Sequence, residues 1–171
     1  MINEKQFREL IIQAPLKAIG LYSEEAEAFL LSICAQESNG GYYLKQTTEG
    51  ENAALGPYQM QEETYYDIWE NTLSKPEHSD LKLLILNVCR YPLIPRADVM
   101  VYNLWYATII ARVFWLHVKE PMPPCPDTTG DGLDKLWLLY KKYWNTAAGK
   151  ATKEEFVAHY NQFVNGETHV H

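Results

Sequence analysis

The sequence predicts a mainly α fold in one domain, and three observations lead there. Apolar residues recur at helical spacing through almost the whole chain, caps and breakers fall at the ends of those runs, and no stretch keeps the alternation of a half-buried strand. With 171 residues the chain can bury one sizeable core. The domain is expected over 1–165, with the polar residues 166–171 as a tail.

Each element has its own signal. Residues 3–13 place Phe7, Leu10 and Ile11 on one helical face. Ser23 precedes three acids, a cap with negative charge in the first turn, and opens a helix with Ala26, Phe29, Leu30 and Ile33 as its stripe. Asn39-Gly40-Gly41 stops it. Helices follow over 62–73 and 80–88, and the two prolines of "YPLIPRAD" interrupt the pattern. From Asp98 to His117 the apolar content predicts the longest, central helix, and two more span 132–145 and 153–164. Thr152 and Glu155 have the spacing of a capping box. The irregular insertion after the second helix offers at most a small hairpin near Tyr42–Gln46.

Composition excludes several classes. A formal charge of −7 lacks the basic surface that phosphate backbones require, so no nucleic acid partner is expected. No run of apolar residues is long enough to span a bilayer, and no basic segment followed by an apolar one marks a signal peptide at the N-terminus. Cys34, Cys89 and Cys125 form no CxxC pair or Cys/His cluster, so no metal or cofactor is expected. They read as buried free thiols, with one disulfide among them left open. "DTTGDG" lacks a calcium loop's ligand register. The 12 Tyr and 5 Trp supply more rings than a core needs and suit a groove that grips a hydroxylated ligand.

Glu37 is the candidate for chemistry. It ends the helix that carries Phe29-Leu30-Leu31-Ser32-Ile33-Cys34-Ala35. The negative end of the helix dipole and the loss of water beside apolar residues both disfavour a carboxylate. Both raise its pKa and suit it to proton donation. Further on, Ala54-Leu55-Gly56-Pro57-Tyr58-Gln59-Met60, followed by Thr64, places a glycine where backbone can approach a ligand, then an aromatic ring and an amide.

The pair Glu37-Ser38, followed by this Gly-x-x-Gln-Met segment and a Thr, resembles the lysozyme-like soluble lytic transglycosylases and goose-type lysozymes. "YWNTAAG", Tyr143 to Gly149, is similar to the aromatic-Asn segment of that family, with its glycine two places late. The resemblance implies a lysozyme-like helical fold with Glu37 as catalytic acid and base. It also implies Ser38 as the group that orients the glutamate or the substrate's N-acetyl group, Gly56, Tyr58, Gln59 and Met60 along the substrate cleft, and Tyr143 or Trp144, with Asn145, facing the glutamate. Pro57-Tyr58 stands where the family has Leu-Met.

The substrate so implied is peptidoglycan, cut at the β-1,4 bond between N-acetylmuramic acid and N-acetylglucosamine. A hydrolase ordinarily needs a second carboxylate, for which Glu49 and Glu51 are the loop candidates, although each taken alone suits an ordinary solvated loop better. Glu62 and Glu63 suit the start of the following helix instead. Lytic transglycosylase chemistry, which needs one carboxyl, is the leading expectation, and a hydrolytic muramidase is its rival. A catalytically inactive glycan-binding virion protein and a helical interaction domain with coincidental motifs are the other classes. The size, the missing export signal and the divergent motifs are similar to bacteriophage wall-degrading proteins. That resemblance implies other virion proteins as partners and action at the wall, from the virion or from the host cytoplasm. His117 reads as a helix-end cation, the residues around Trp105, Tyr106, Phe114 and Trp115 mostly as core, and Tyr42 and Tyr102 as possible ligand contacts by their nearness to loops.

Overall fold

The computed structural model describes residues 2–46, 53–123, 130–145 and 149–164. The chain begins with α1 (Glu4–Gln6), whose first turn is capped by Asn3, the side chain accepting from the Gln6 amide at 3.0 Å. A wider-wound segment, Phe7–Gln13, carries the helix directly into α2 (Ala14–Ala18). The helix therefore outruns its expected end, and Pro15 falls where the winding passes from wide to α without stopping it.

Ser23 caps α3 (Glu24–Ser38) by accepting from the Ala26 amide at 3.1 Å. Burial on α3 is wider than the expected stripe: Glu27, Leu31, Ser32, Cys34 and Ala35 are enclosed together with Ala26, Phe29, Leu30 and Ile33. A helix apolar all round belongs in the interior, and α3 packs against α9, α7, α8 and the segment after α1. Asn39, with φ of 51°, ends it in the left-handed conformation. Gly40 follows at φ +64°, and a Cβ there would lie 2.4 Å from the Phe163 ring, so glycine is needed for α9 to close on the end of α3.

The insertion is folded as short pairings rather than a hairpin of named strands. Gln46 N donates to Ala54 O at 3.0 Å and Gly56 N to Leu44 O at 2.8 Å, around an antiparallel bridge of Lys45 with Leu55. Leu55 and Met60 exchange both backbone hydrogen bonds, which closes the turn through Gly56, Pro57, Tyr58 and Gln59. Gly56 takes φ +72°, and a Cβ would lie 2.7 Å from the Met100 carbonyl oxygen.

Beyond it, α4 (Glu62–Asp67) continues through a wide turn, Ile68–Thr72, and a short 3-10 turn at Pro76–His78 leads into α5 (Ser79–Val88). The expected 98–117 helix is broken in two: α6 (Val99–Tyr102) and α7 (Leu104–Phe114) meet at Asn103, whose backbone is extended (φ −107°, ψ 91°). Asn103 spends its side chain capping Tyr106 N at 3.0 Å, a short polar group that favours a helix start over a helix interior. Tyr106, Ala107, Ile109, Ile110, Ala111 and Val113 of α7 join the core. Of the four rings expected here mostly as core, Tyr106 and Trp115 are buried and Phe114 packs partly against the core, whereas Trp105 is 38% exposed and donates to Leu10 O at 2.7 Å. A chain of hydrogen bonds from Trp69 through the Tyr106 and Tyr65 hydroxyls to Pro95 O ties α4 and α7 to the proline-rich connection.

α8 (Gly130–Tyr140) runs on as a wide-wound segment, Lys141–Asn145, and α9 (Lys153–Val164) closes the fold. The capping box forms: Thr152 Oγ1 accepts from Glu155 N at 3.3 Å and Glu155 Oε2 from Thr152 N at 3.1 Å. No described helix is long and apolar enough to cross a membrane. The architecture is mainly helical, and Cys34 and Cys89 are free thiols. Cys125 and the tail 166–171 lie outside the described residues.

Gly56→Ala is expected to lower stability by about 2 kcal/mol or more, because it combines left-handed strain with a clash against a backbone oxygen. Thermal unfolding should show a midpoint about 4–8 °C lower.

Candidate functional site

The last turn of α3 meets the last turn of α8 at one hydrogen bond. The Tyr140 hydroxyl donates to Glu37 Oε1 at 2.7 Å. Tyr140 reaches it from the face of α8 that also buries Leu133 and Leu136, and its ring packs in a three-ring cluster with Trp137 and Phe156, centroids 5.8 and 5.1 Å away. Burial raises the Glu37 pKa above the ordinary carboxylate value, and the Tyr140 hydrogen bond, which favours the ion, offsets part of that rise. Burial and the nearby Glu37 charge push the Tyr140 hydroxyl far up, so it remains a donor.

Glu37 opens onto a groove of about 350 Å³, also lined by Tyr43, Lys45, Gln46, Ala54, Gln59 and Gln61. A second hollow of about 130 Å³ adjoins it through Gln59 and Gln61 and is walled by Met60, Thr64, Phe114, Tyr143 and Trp144. One part is polar and rich in amides; the next is aromatic. Trp144 packs edge-on to Phe114 at 5.0 Å and parallel to Trp115 at 6.0 Å.

Ser38 plays a different part from the substrate contact the family resemblance implies. It is fully buried, and its Oγ serves the Cys34 and Pro57 carbonyls, at 2.9 and 2.6 Å, and the Gly41 amide at 2.9 Å. The hydroxyl joins the end of α3 to the turn that carries Gln59, so it positions the wall and offers nothing to a ligand. Tyr58 is corrected likewise: it is 1% exposed, and its hydroxyl pairs with Thr108 Oγ1 at 2.9 Å, pointing into the core. Gly56 is buried under the turn beside Met100 O. Gln59 does line the groove, and its side-chain amide folds back to donate to Gly56 O at 2.8 Å. Met60, nearly buried, contributes to the aromatic hollow.

The partner of Glu37 is neither Tyr143 nor Trp144, which line the aromatic hollow, but Tyr140. The signal was present in the apolar stripe Leu133, Leu136, Tyr140, which aims Tyr140 inward, whereas matching "YWN" draws attention one turn too far. Asn145 is fixed by Lys141, whose ammonium donates to Asn145 Oδ1 and to Gly149 O, both at 2.7 Å. The Asn145 amide also lies against the Tyr140 hydroxyl and lowers its pKa. Gly149 has a packing reason: a Cβ there would lie 2.2 Å from Asn145 Oδ1.

Glu49 and Glu51 lie outside the described residues. Glu62 and Glu63 sit in the first turn of α4, and neither lines the groove. His117 is not the helix-end cation expected: α7 ends at Phe114, His117 Nδ1 pairs with Thr72 Oγ1 at 3.3 Å, and burial lowers its pKa. Tyr42 stands 62% exposed edge-on to Tyr43, while Tyr102 is exposed away from the groove-lining set. Among the described residues no three His, Cys, Asp or Glu side chains converge as a metal site would require. Compared with protein-family models, curated proteins and solved structures, the chain matches none.

The raised Glu37 pKa has a consequence for stability with a definite sign. Below the unfolded-state pKa both states carry the proton and burial of the neutral acid costs little; as pH rises through the folded pKa, ionisation of the half-buried group removes stability. Glu37→Gln keeps an acceptor for Tyr140 without the charge. Its stability relative to wild type is expected to climb with pH from about 4.5 upward and then level off, in urea titrations at a series of pH values.

Proposed function

We propose that this protein cleaves the glycan strands of peptidoglycan, with Glu37 as general acid and then general base, on a lysozyme-like helical scaffold. The observation that carries the reading is a half-buried carboxyl at the end of an apolar helix, held by a tyrosine hydroxyl and open to a groove lined by glutamine side chains and a tyrosine. Tyr140 occupies Oε1, so the proton of the neutral acid is carried on Oε2. Side-chain amides of Gln46, Gln59 and Gln61, with the Tyr43 ring, are the groups that hydrogen-bond hydroxyls and stack on sugar faces.

In this mechanism Glu37 protonates the leaving glycosidic oxygen while positive charge develops at the muramoyl anomeric carbon. The resulting carboxylate, eased by the Tyr140 hydrogen bond, then takes the proton of the C6 hydroxyl as that oxygen closes onto the anomeric carbon. The proton is back on Glu37 and the product carries a 1,6-anhydro ring. Hydrolysis would instead place water at that carbon and calls for a second carboxylate. Among the described groove-lining residues Glu37 is the sole acid.

Glu37→Gln is expected to reduce release of soluble fragments from purified peptidoglycan by about 10²-fold or more, with the fold retained by circular dichroism. Mass spectrometry of wild-type products should show muramoyl ends lighter by one water. Reducing ends would assign the hydrolase instead. Wild-type protein that binds the glycan and releases nothing would leave a binding module.

A further inference from the structure

One charged side chain of the groove has no part in the acid–base step. Lys45 lines the same groove as Glu37, and among the described residues no carboxylate forms an ion pair with it. Its position is set by the backbone. The bridge to Leu55 and the flanking bonds of Gln46 N to Ala54 O and Gly56 N to Leu44 O fix its register. Tyr43, two residues earlier, reaches the same groove. The ammonium is not spent on Glu37 either: a close cation would pull that carboxyl down, and its pKa is raised instead, with only burial and Tyr140 acting on it.

A ligand lying in the groove covers Lys45. If the ligand is neutral, the ammonium loses water and gains no counter-charge, which costs free energy. If the ligand carries a carboxylate at that place, the charges pair. The protein as a whole bears −7, yet salt at physiological strength screens exposed charges beyond about 8 Å, so a local cation decides the contact.

We propose that Lys45 selects anionic glycan strands by pairing with a carboxylate of the substrate, against neutral strands of the same sugar backbone. This rests on the glycan-cleaving reading and narrows it. The carboxylate has two possible sources in peptidoglycan: the lactyl group of a muramic acid that bears no peptide, or a carboxyl of the stem peptide.

The test measures binding by calorimetry on Glu37→Gln protein, which leaves strands uncut, with three probes of equal sugar length: peptide-stripped glycan, peptide-bearing glycan and neutral chito-oligosaccharide. Adding Lys45→Met is expected to weaken binding of a carboxylate-bearing probe about threefold to fivefold, with little loss on the neutral one. Lys45→Arg should restore it, and raising salt should shrink the difference. The larger loss on stripped glycan assigns the lactyl carboxylate; the larger loss on peptide-bearing glycan assigns the stem. An equal effect of Lys45→Met on acidic and neutral strands overturns the proposal while leaving glycan cleavage intact. Failure of Glu37→Gln protein to bind any of the three probes, together with no fragment release by the wild type, removes both readings.

Discussion

The hydrogen bond from Tyr140 to Glu37 is the constraint around which the fold is organised. It joins side chains 103 residues apart in sequence, one at the end of α3 and the other where α8 passes into the wide-wound segment Lys141–Asn145. A carboxyl at a helix C-terminus and out of water is unfavourable as an ion. One neutral donor makes both protonation states tolerable without converting the acid into an ion pair. Arginine or lysine in the place of Tyr140 would hold Glu37 ionised. The surrounding packing explains why the tyrosine stays: its ring packs against both Trp137 and Phe156, which also touch each other, and α9 is closed onto the end of α3 over Gly40.

Buried polar groups do the positioning. Ser38, next to the acid, faces inward and binds the Pro57 carbonyl, so the wall that carries Gln59 cannot shift without breaking a buried hydrogen bond. Tyr58 anchors the same turn from below through Thr108. Lys141 gathers Asn145 and Gly149 at the far side, next to Tyr140. The walls of the groove are thus held by buried and half-buried hydrogen bonds behind its lining.

Much of this was legible from residue patterns, and the failures have physical causes. The caps at Ser23 and Thr152 and the stop at Asn39 are local chemistry, and local chemistry reads directly from sequence. Glu37 was identifiable because an acid at the end of an apolar helix conflicts with its surroundings. The break at Asn103 was missed because the apolar pattern on both sides is continuous, and a single polar residue turned helix interior into helix cap. A motif gives proximity to a site but not side-chain direction, which is why the sequence alone points to Tyr58 and Ser38 as ligand contacts. Both lie beside the groove and point into the core. Tyr140 was overlooked for the converse reason: its apolar stripe marks it as core, and only the meeting of two distant helix ends reveals the hydroxyl's partner.

The central claim is that Glu37 is a neutral-leaning acid tuned by Tyr140, and its own titration tests this most directly. Carbon-13 NMR of the glutamate side-chain carboxyls, with Glu37→Gln protein to assign the signal, would follow it in wild type and in Tyr140→Phe protein. The account predicts a wild-type midpoint above the ordinary glutamate range and a higher one still without the hydroxyl, since a donor to the ion is lost while burial remains. A midpoint in the ordinary range, unmoved by Tyr140→Phe, would contradict it.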